Sequence, residues 1–131
     1  MARRAAKELL HVQEWLGRVD EITRRGKHAY FQDPLMQEAG DSLMMKLGEA
    51  SNRLSRLDVL APQGVDWSLA IANRNFIIHQ YDEVNRELTR LTLERDLPEL
   101  RECLSSLFVG ARTAIEFQGP RPALAWSAPR R

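Results

Sequence analysis

Leu9, Val12, Leu16, Val19 and Ile22, with Trp15 beside them, recur every three or four residues, the period at which side chains share one face of an α-helix. The spacing predicts helix one from about residue 4 to 25. Gly26, directly after Arg24 and Arg25, suits its end: cations meet the negative end of the helix dipole and glycine takes the left-handed cap. Residues 27–33 read as a loop in which Tyr30 and Phe31 pack. Asp33 followed by Pro34 starts helix two, with a side-chain acceptor at the cap and a proline in the first turn, where its missing N–H costs nothing. Met36, Gly40, Leu43, Leu47, Ala50, Leu54 and Leu57 then step by four and three, the seam of a packed bundle, and the small Gly40 and Ala50 allow a partner helix to come close. A turn at residues 62–64 leads to helix three, from about residue 65 to 80 and entered through Asp66 or its neighbours, and helix four follows from about 82 to 95. Asp96-Leu97-Pro98 resets the chain, with Asp96 or its neighbour capping helix five, whose stripe is Leu97, Leu100, Leu104, Leu107, Phe108, Ala111 and Ile115. No stretch alternates with period two, so the expected fold is all-α, an up-and-down bundle of four long helices and a shorter one.

Composition narrows this further. A chain of 131 residues, 44% hydrophobic and 28% charged, fits one globular domain with its own core. The formal charge of +1 hides an asymmetry: residues 118–131 hold three of the 19 basic residues (Arg121, Arg130, Arg131) and none of the 18 acidic ones, which leaves the body at −2. Pro120, Pro122 and Pro129 fall in the same stretch and block regular helix there. The division expected is a helical body over residues 1–117 and a flexible basic tail over 118–131, with Trp126 as its one anchor. A nucleic-acid site on such a body must be local rather than global. No apolar run reaches the roughly 20 residues that span a bilayer, the amino terminus leads into a mixed-polarity helix, and Cys103 is single, a core thiol suited to a reducing compartment. Together these point to the cytoplasm and to no membrane partner.

The densest polar cluster on an apolar stretch is Arg74, Asn75, His79, Gln80 and Tyr81. It combines a permanent cation suited to phosphate, a side chain that titrates near neutrality, an amide and a phenol. That set suffices for cleavage of a phosphodiester without metal: the imidazole takes the proton of a ribose 2′-hydroxyl, whose oxygen attacks the adjacent phosphorus, while the guanidinium holds the charge that develops. Only RNA carries that hydroxyl. At about 100° per residue, Arg74 and His79 stand about 140° apart around a helix and do not share a face. The long arginine side chain, a distortion near the helix end, or a second subunit must bring them to one phosphate. A dimer is preferred, since it also supplies a second His79 as general acid.

The same residues resemble a known family. Arg74, four intervening residues and His79, with Asn75 directly after the arginine, resemble the Arg-x4-His motif of HEPN ribonucleases. Tyr81 extends this to Arg-x4-His-x-Tyr, which is similar to the HepT toxins of bacterial HepT/MntA toxin–antitoxin modules. Trp67, Gly48-Glu49-Ala50 and Asp96-Leu97-Pro98-Glu99-Leu100 are also similar, and the resemblance covers roughly residues 5–116. It implies a HEPN-like bundle and a homodimeric RNA endonuclease that uses neither metal nor cofactor, with Arg74 and His79 pairs meeting in a cleft between subunits and Asn75 in support. It also implies a cognate MntA-like nucleotidyltransferase antitoxin that uses ATP to AMPylate Tyr81.

Plainer roles exist for each residue. Arg74 could be a structural cation paired with Glu49 or Asp82, Tyr81 could cap the bundle, and Asn75 could distort the helix rather than contact substrate. His11 and His28 read as structural or surface residues, Met36, Met44 and Met45 as core filler, and Asp82, Glu83, Arg86, Glu87 and Arg90 as a solvated helix face. The alternative to the enzyme is a non-catalytic HEPN module that partners a nucleotidyltransferase, and a pure scaffold has no chemical need for both Arg74 and His79.

Overall fold

The computed structural model of the chain describes residues 1–57, 59, 67 and 85–118, with residues 117 and 118 described by their backbone only. The fold is an all-α bundle. In chain order the elements are α1 (Arg3–Arg24), α2 (Lys27–Gln32), α3 (Pro34–Arg56), α4 (Arg86–Leu91), a π-helical turn (Thr92–Asp96), α5 (Leu97–Cys103) and α6 (Ser105–Gln118). No strand occurs among the described residues.

Helix α1 lies at the centre and buries Leu9, Val12, Leu16 and Val19, with Ile22 and Trp15 packed against the core, as the periodicity requires. It runs antiparallel to α3: Glu8 pairs with Arg53 at 2.6 Å near one end, and Ile22 lines a cleft with Met36 near the other. Its opposite flank packs against α5 and α6 in the same antiparallel sense, with Gly17 beside Arg101 and Gln13 beside Arg112.

The turn after α1 differs from the expected loop. Gly26 has φ 91° and ψ 164°, a conformation that essentially only glycine adopts, and its carbonyl accepts the Tyr30 N–H to start a short helix. Thus residues 27–32 are helical, and Tyr30, with its ring almost fully buried, is why: one turn and a half of helix aims it inward. Gln37 of α3 donates its amide to the carbonyls of Tyr30 and Phe31, closing the end of α2. Asp33 caps α3 as expected, accepting the N–H groups of Leu35 at 2.9 Å and Met36 at 3.3 Å.

Along α3, Met36, Gly40, Leu43, Leu47, Ala50 and Leu54 are buried, while Leu57 is half-buried beyond the helix end. Met44 is buried and Met45 packs on the core. The close approach expected at Gly40 is made by Leu93, whose Cδ1 lies 2.9 Å from where a Cβ would stand.

The second half of the chain corrects four expectations. Helix α4 begins at Arg86 rather than near residue 82, because Asn85 is extended (ψ 109°) and its side chain accepts the N–H groups of Glu87 and Leu88. Asp96 does not cap a new helix: its backbone is helical (φ −72°, ψ −42°) and its side chain caps nothing. A proline within a helix removes one N–H and crowds the carbonyl four residues back. Here the turn before Pro98 is widened, with the Leu97 N–H reaching the Thr92 carbonyl, so the helix runs past the proline instead of stopping. The stripe of helix five is in turn interrupted at Leu104, which separates α5 from α6 while staying fully buried. Cys103 is half-buried rather than a core thiol. The expected turn at 62–64, helix three apart from Trp67, and the tail after residue 118 lie outside the described residues.

Candidate functional site

Arg74, Asn75, His79 and Tyr81 all lie outside the described residues, as do Asp82 and Glu83. The structure describes the two points between which the chain carries them. On the near side Trp67 is buried in the core cluster and donates its indole N–H to the Val59 carbonyl at 3.2 Å. On the far side the chain is held at Arg86 by a partly buried polar network.

That network joins three helices. Asp41 of α3, only 6% exposed, accepts both terminal nitrogens of Arg86: Nη1 donates to Oδ1 at 2.9 Å and Nη2 to Oδ2 at 2.7 Å. Such a two-pronged pairing is the strongest geometry open to a guanidinium and a carboxylate. Arg86 Nη1 also donates to the Tyr30 hydroxyl at 3.2 Å. The Tyr30 and Thr89 hydroxyls share a hydrogen bond of 2.9 Å, and the Thr89 Oγ1 donates to the Arg86 carbonyl at 3.0 Å. The Asp41 carboxylate, with help from Tyr30, holds the Arg86 guanidinium more firmly protonated than a free arginine, against the opposing effect of burial.

Arg86 therefore does not belong to a solvated face, and neither does Arg90, whose side chain is mostly covered and pairs with Glu94. Glu87 is exposed, as expected of that face. One signal was available in the sequence: Asp41, Met44, Gly48 and Ser51 follow one another by three, four and three beside the main stripe of α3, and all four are buried. A carboxylate on such a stripe needs a buried partner.

The remaining surface gives context. His11 is exposed and stacks on Trp15 with ring centres 5.9 Å apart, and His28 is exposed. A cleft of about 500 Å³ opens between α1 and α3, floored by Ile22, Met36 and Leu43 with Arg18, Arg25 and Lys46 at its rim. No helix among the described residues is long and apolar enough to cross a membrane.

Compared with known proteins, the chain matches the model of a family described as ribonuclease HepT-like over residues 12–107. No curated protein and no solved structure matches it. The family match spans most of the chain, and it takes in α3, the whole interval from Trp67 to Asn85 and the helices that anchor both ends of that interval. On that extent of agreement, the chain belongs to the HepT-like ribonuclease family.

Proposed function

We propose that the protein is a metal-independent RNA endonuclease, the toxin of a toxin–antitoxin pair, which works in the cytoplasm as a homodimer. The observation that carries this reading is the family match over a segment in which Arg74, His79 and Tyr81 stand intact at the Arg-x4-His-x-Tyr spacing. His79 removes the proton from a ribose 2′-hydroxyl, and the oxygen attacks the adjacent phosphorus. The bond to the 5′-oxygen breaks, and the His79 of a second copy returns a proton to that leaving oxygen. Arg74 neutralises the charge that builds on the phosphate oxygens, and Asn75 hydrogen-bonds the substrate beside it. The products are a 2′,3′-cyclic phosphate and a 5′-hydroxyl.

In the same proposal a nucleotidyltransferase antitoxin of the MntA kind binds the toxin. It transfers AMP from ATP to the Tyr81 phenol, with pyrophosphate leaving. The added negative charge beside a phosphate-binding arginine repels RNA and occupies the cleft.

Purified, unmodified protein incubated with total RNA and excess chelator tests the reading. Cleavage with cyclic phosphate ends is expected, with Arg74→Ala and His79→Ala each losing about 100-fold or more in rate. An unmodified, folded dimer that leaves RNA intact would instead favour a non-catalytic module that partners a nucleotidyltransferase.

A further inference from the structure

The Asp41–Arg86 pair lies at the edge of the core, with Asp41 buried and Arg86 partly exposed, where it is a poor source of stability. Desolvation of the buried carboxylate and the partly covered guanidinium offsets much of their attraction, and apolar residues of similar volume commonly serve as well. What such a pair supplies instead is a defined register, because a bidentate contact tolerates little sliding. Its place in the chain is therefore informative. Arg86 is the first residue of α4, and it clamps to α3 and α2 together, through Asp41 and Tyr30. The chain arrives there directly from the segment that holds the motif. Four residues lie between Tyr81 and Arg86, a tether of five Cα steps and no longer than about 18 Å even when fully extended. The other end of the segment is fixed at Trp67.

We infer that Asp41, Arg86 and Tyr30 form a positioning device for the motif segment: they fix where the chain re-enters the bundle after Tyr81, and so set His79 and Tyr81 in the register that RNA cleavage requires. This rests on the ribonuclease reading above. None of the three touches the reacting phosphate in this account; they act through the segment they anchor. Placement errors of about 1 Å at a catalytic group cost up to about 100-fold in rate, so a loosened anchor is visible in turnover.

The test replaces the pair by apolar residues in the full-length protein, as Asp41→Leu with Arg86→Met. Three quantities are compared with the parent: the thermal midpoint, kcat and KM on a defined RNA, and amide hydrogen exchange by mass spectrometry. The expected result is a retained cooperative midpoint, kcat lowered about 10- to 100-fold with KM within about threefold, and faster exchange confined to peptides from residues 77–84, with α1 unchanged. Arg86→Lys, which keeps the charge but loses the fork, should fall between the two.

A double variant with parental kcat and parental exchange over residues 77–84 overturns the inference and makes the pair a replaceable structural contact. Should that variant not fold, Tyr30→Phe deletes only the hydroxyl and is judged by the same kcat and exchange criteria. If the parent itself cleaves no RNA, the ribonuclease reading has failed, and exchange over residues 77–84 alone decides whether the network positions that segment.

Discussion

At Asp41 a carboxylate sits one residue from Gly40, against whose backbone Leu93 is pressed, and meets a guanidinium from the far half of the chain. Removing one partner and removing both should differ sharply. Asp41→Leu alone leaves the partly buried Arg86 without its counter-charge and is expected to cost about 1 to 3 kcal/mol, measured by urea unfolding. Adding Arg86→Met should restore most of that loss, and a pair of variants that simply add would show that the two residues are not coupled. The sign of the pH dependence follows from the direction of the Arg86 shift. A cation whose folded pKa is raised contributes stability that is complete below its ordinary pKa and is lost only as pH rises through the raised value. Both lie in strongly alkaline solution, so the difference in stability between the parent and the double variant should hold constant from about pH 7 to 9.

Capping by Asp33 shows how far local sequence reaches. Its carboxylate serves two backbone N–H groups at the start of α3, and Asp33→Ala should lower stability by about 1 kcal/mol in the same urea assay, with no change in cleavage because the cap lies outside the network. This start, the stripes of α1 and α3 and the helical class were all legible, since each depends on neighbours three or four residues apart. Elements set by distant partners were not. Residues 27–32 look like a loop until Tyr30 is seen to have a buried socket between α3 and α4. Asp96-Leu97-Pro98 reads as a helix start because proline usually marks one, yet widening a single turn lets the helix continue and keeps both Leu93 and Leu97 in the core. The charges of α4 look solvated until Asp41, 45 residues earlier, claims Arg86. Of the candidate site, the motif stands out in the sequence by residue type and spacing, whereas of the polar network only Asp41 left a trace, on its buried stripe, and its partner Arg86, 45 residues on, left none.

For the whole molecule the open geometric question is the 140° between Arg74 and His79 on an ideal helix, about five residues of rotation. A dimer resolves it if each phosphate meets the arginine of one copy and the histidine of the other. That arrangement has a consequence which a site within one chain lacks. In a dimer formed from one Arg74→Ala chain and one His79→Ala chain, one of the two shared sites has lost both groups and the other retains both. Random exchange of equal amounts makes half of all dimers mixed, so two inactive preparations should recover at most about a quarter of the parental rate once subunits have exchanged. The mixed dimer lacks the second His79 that protonates the leaving oxygen, so recovery falls below a quarter but stays above either variant alone. Should the mixture stay as inactive as its components, while labelled chains demonstrably exchange, the composite site is wrong, and the arginine must reach its own histidine through a distorted helix or an extended side chain.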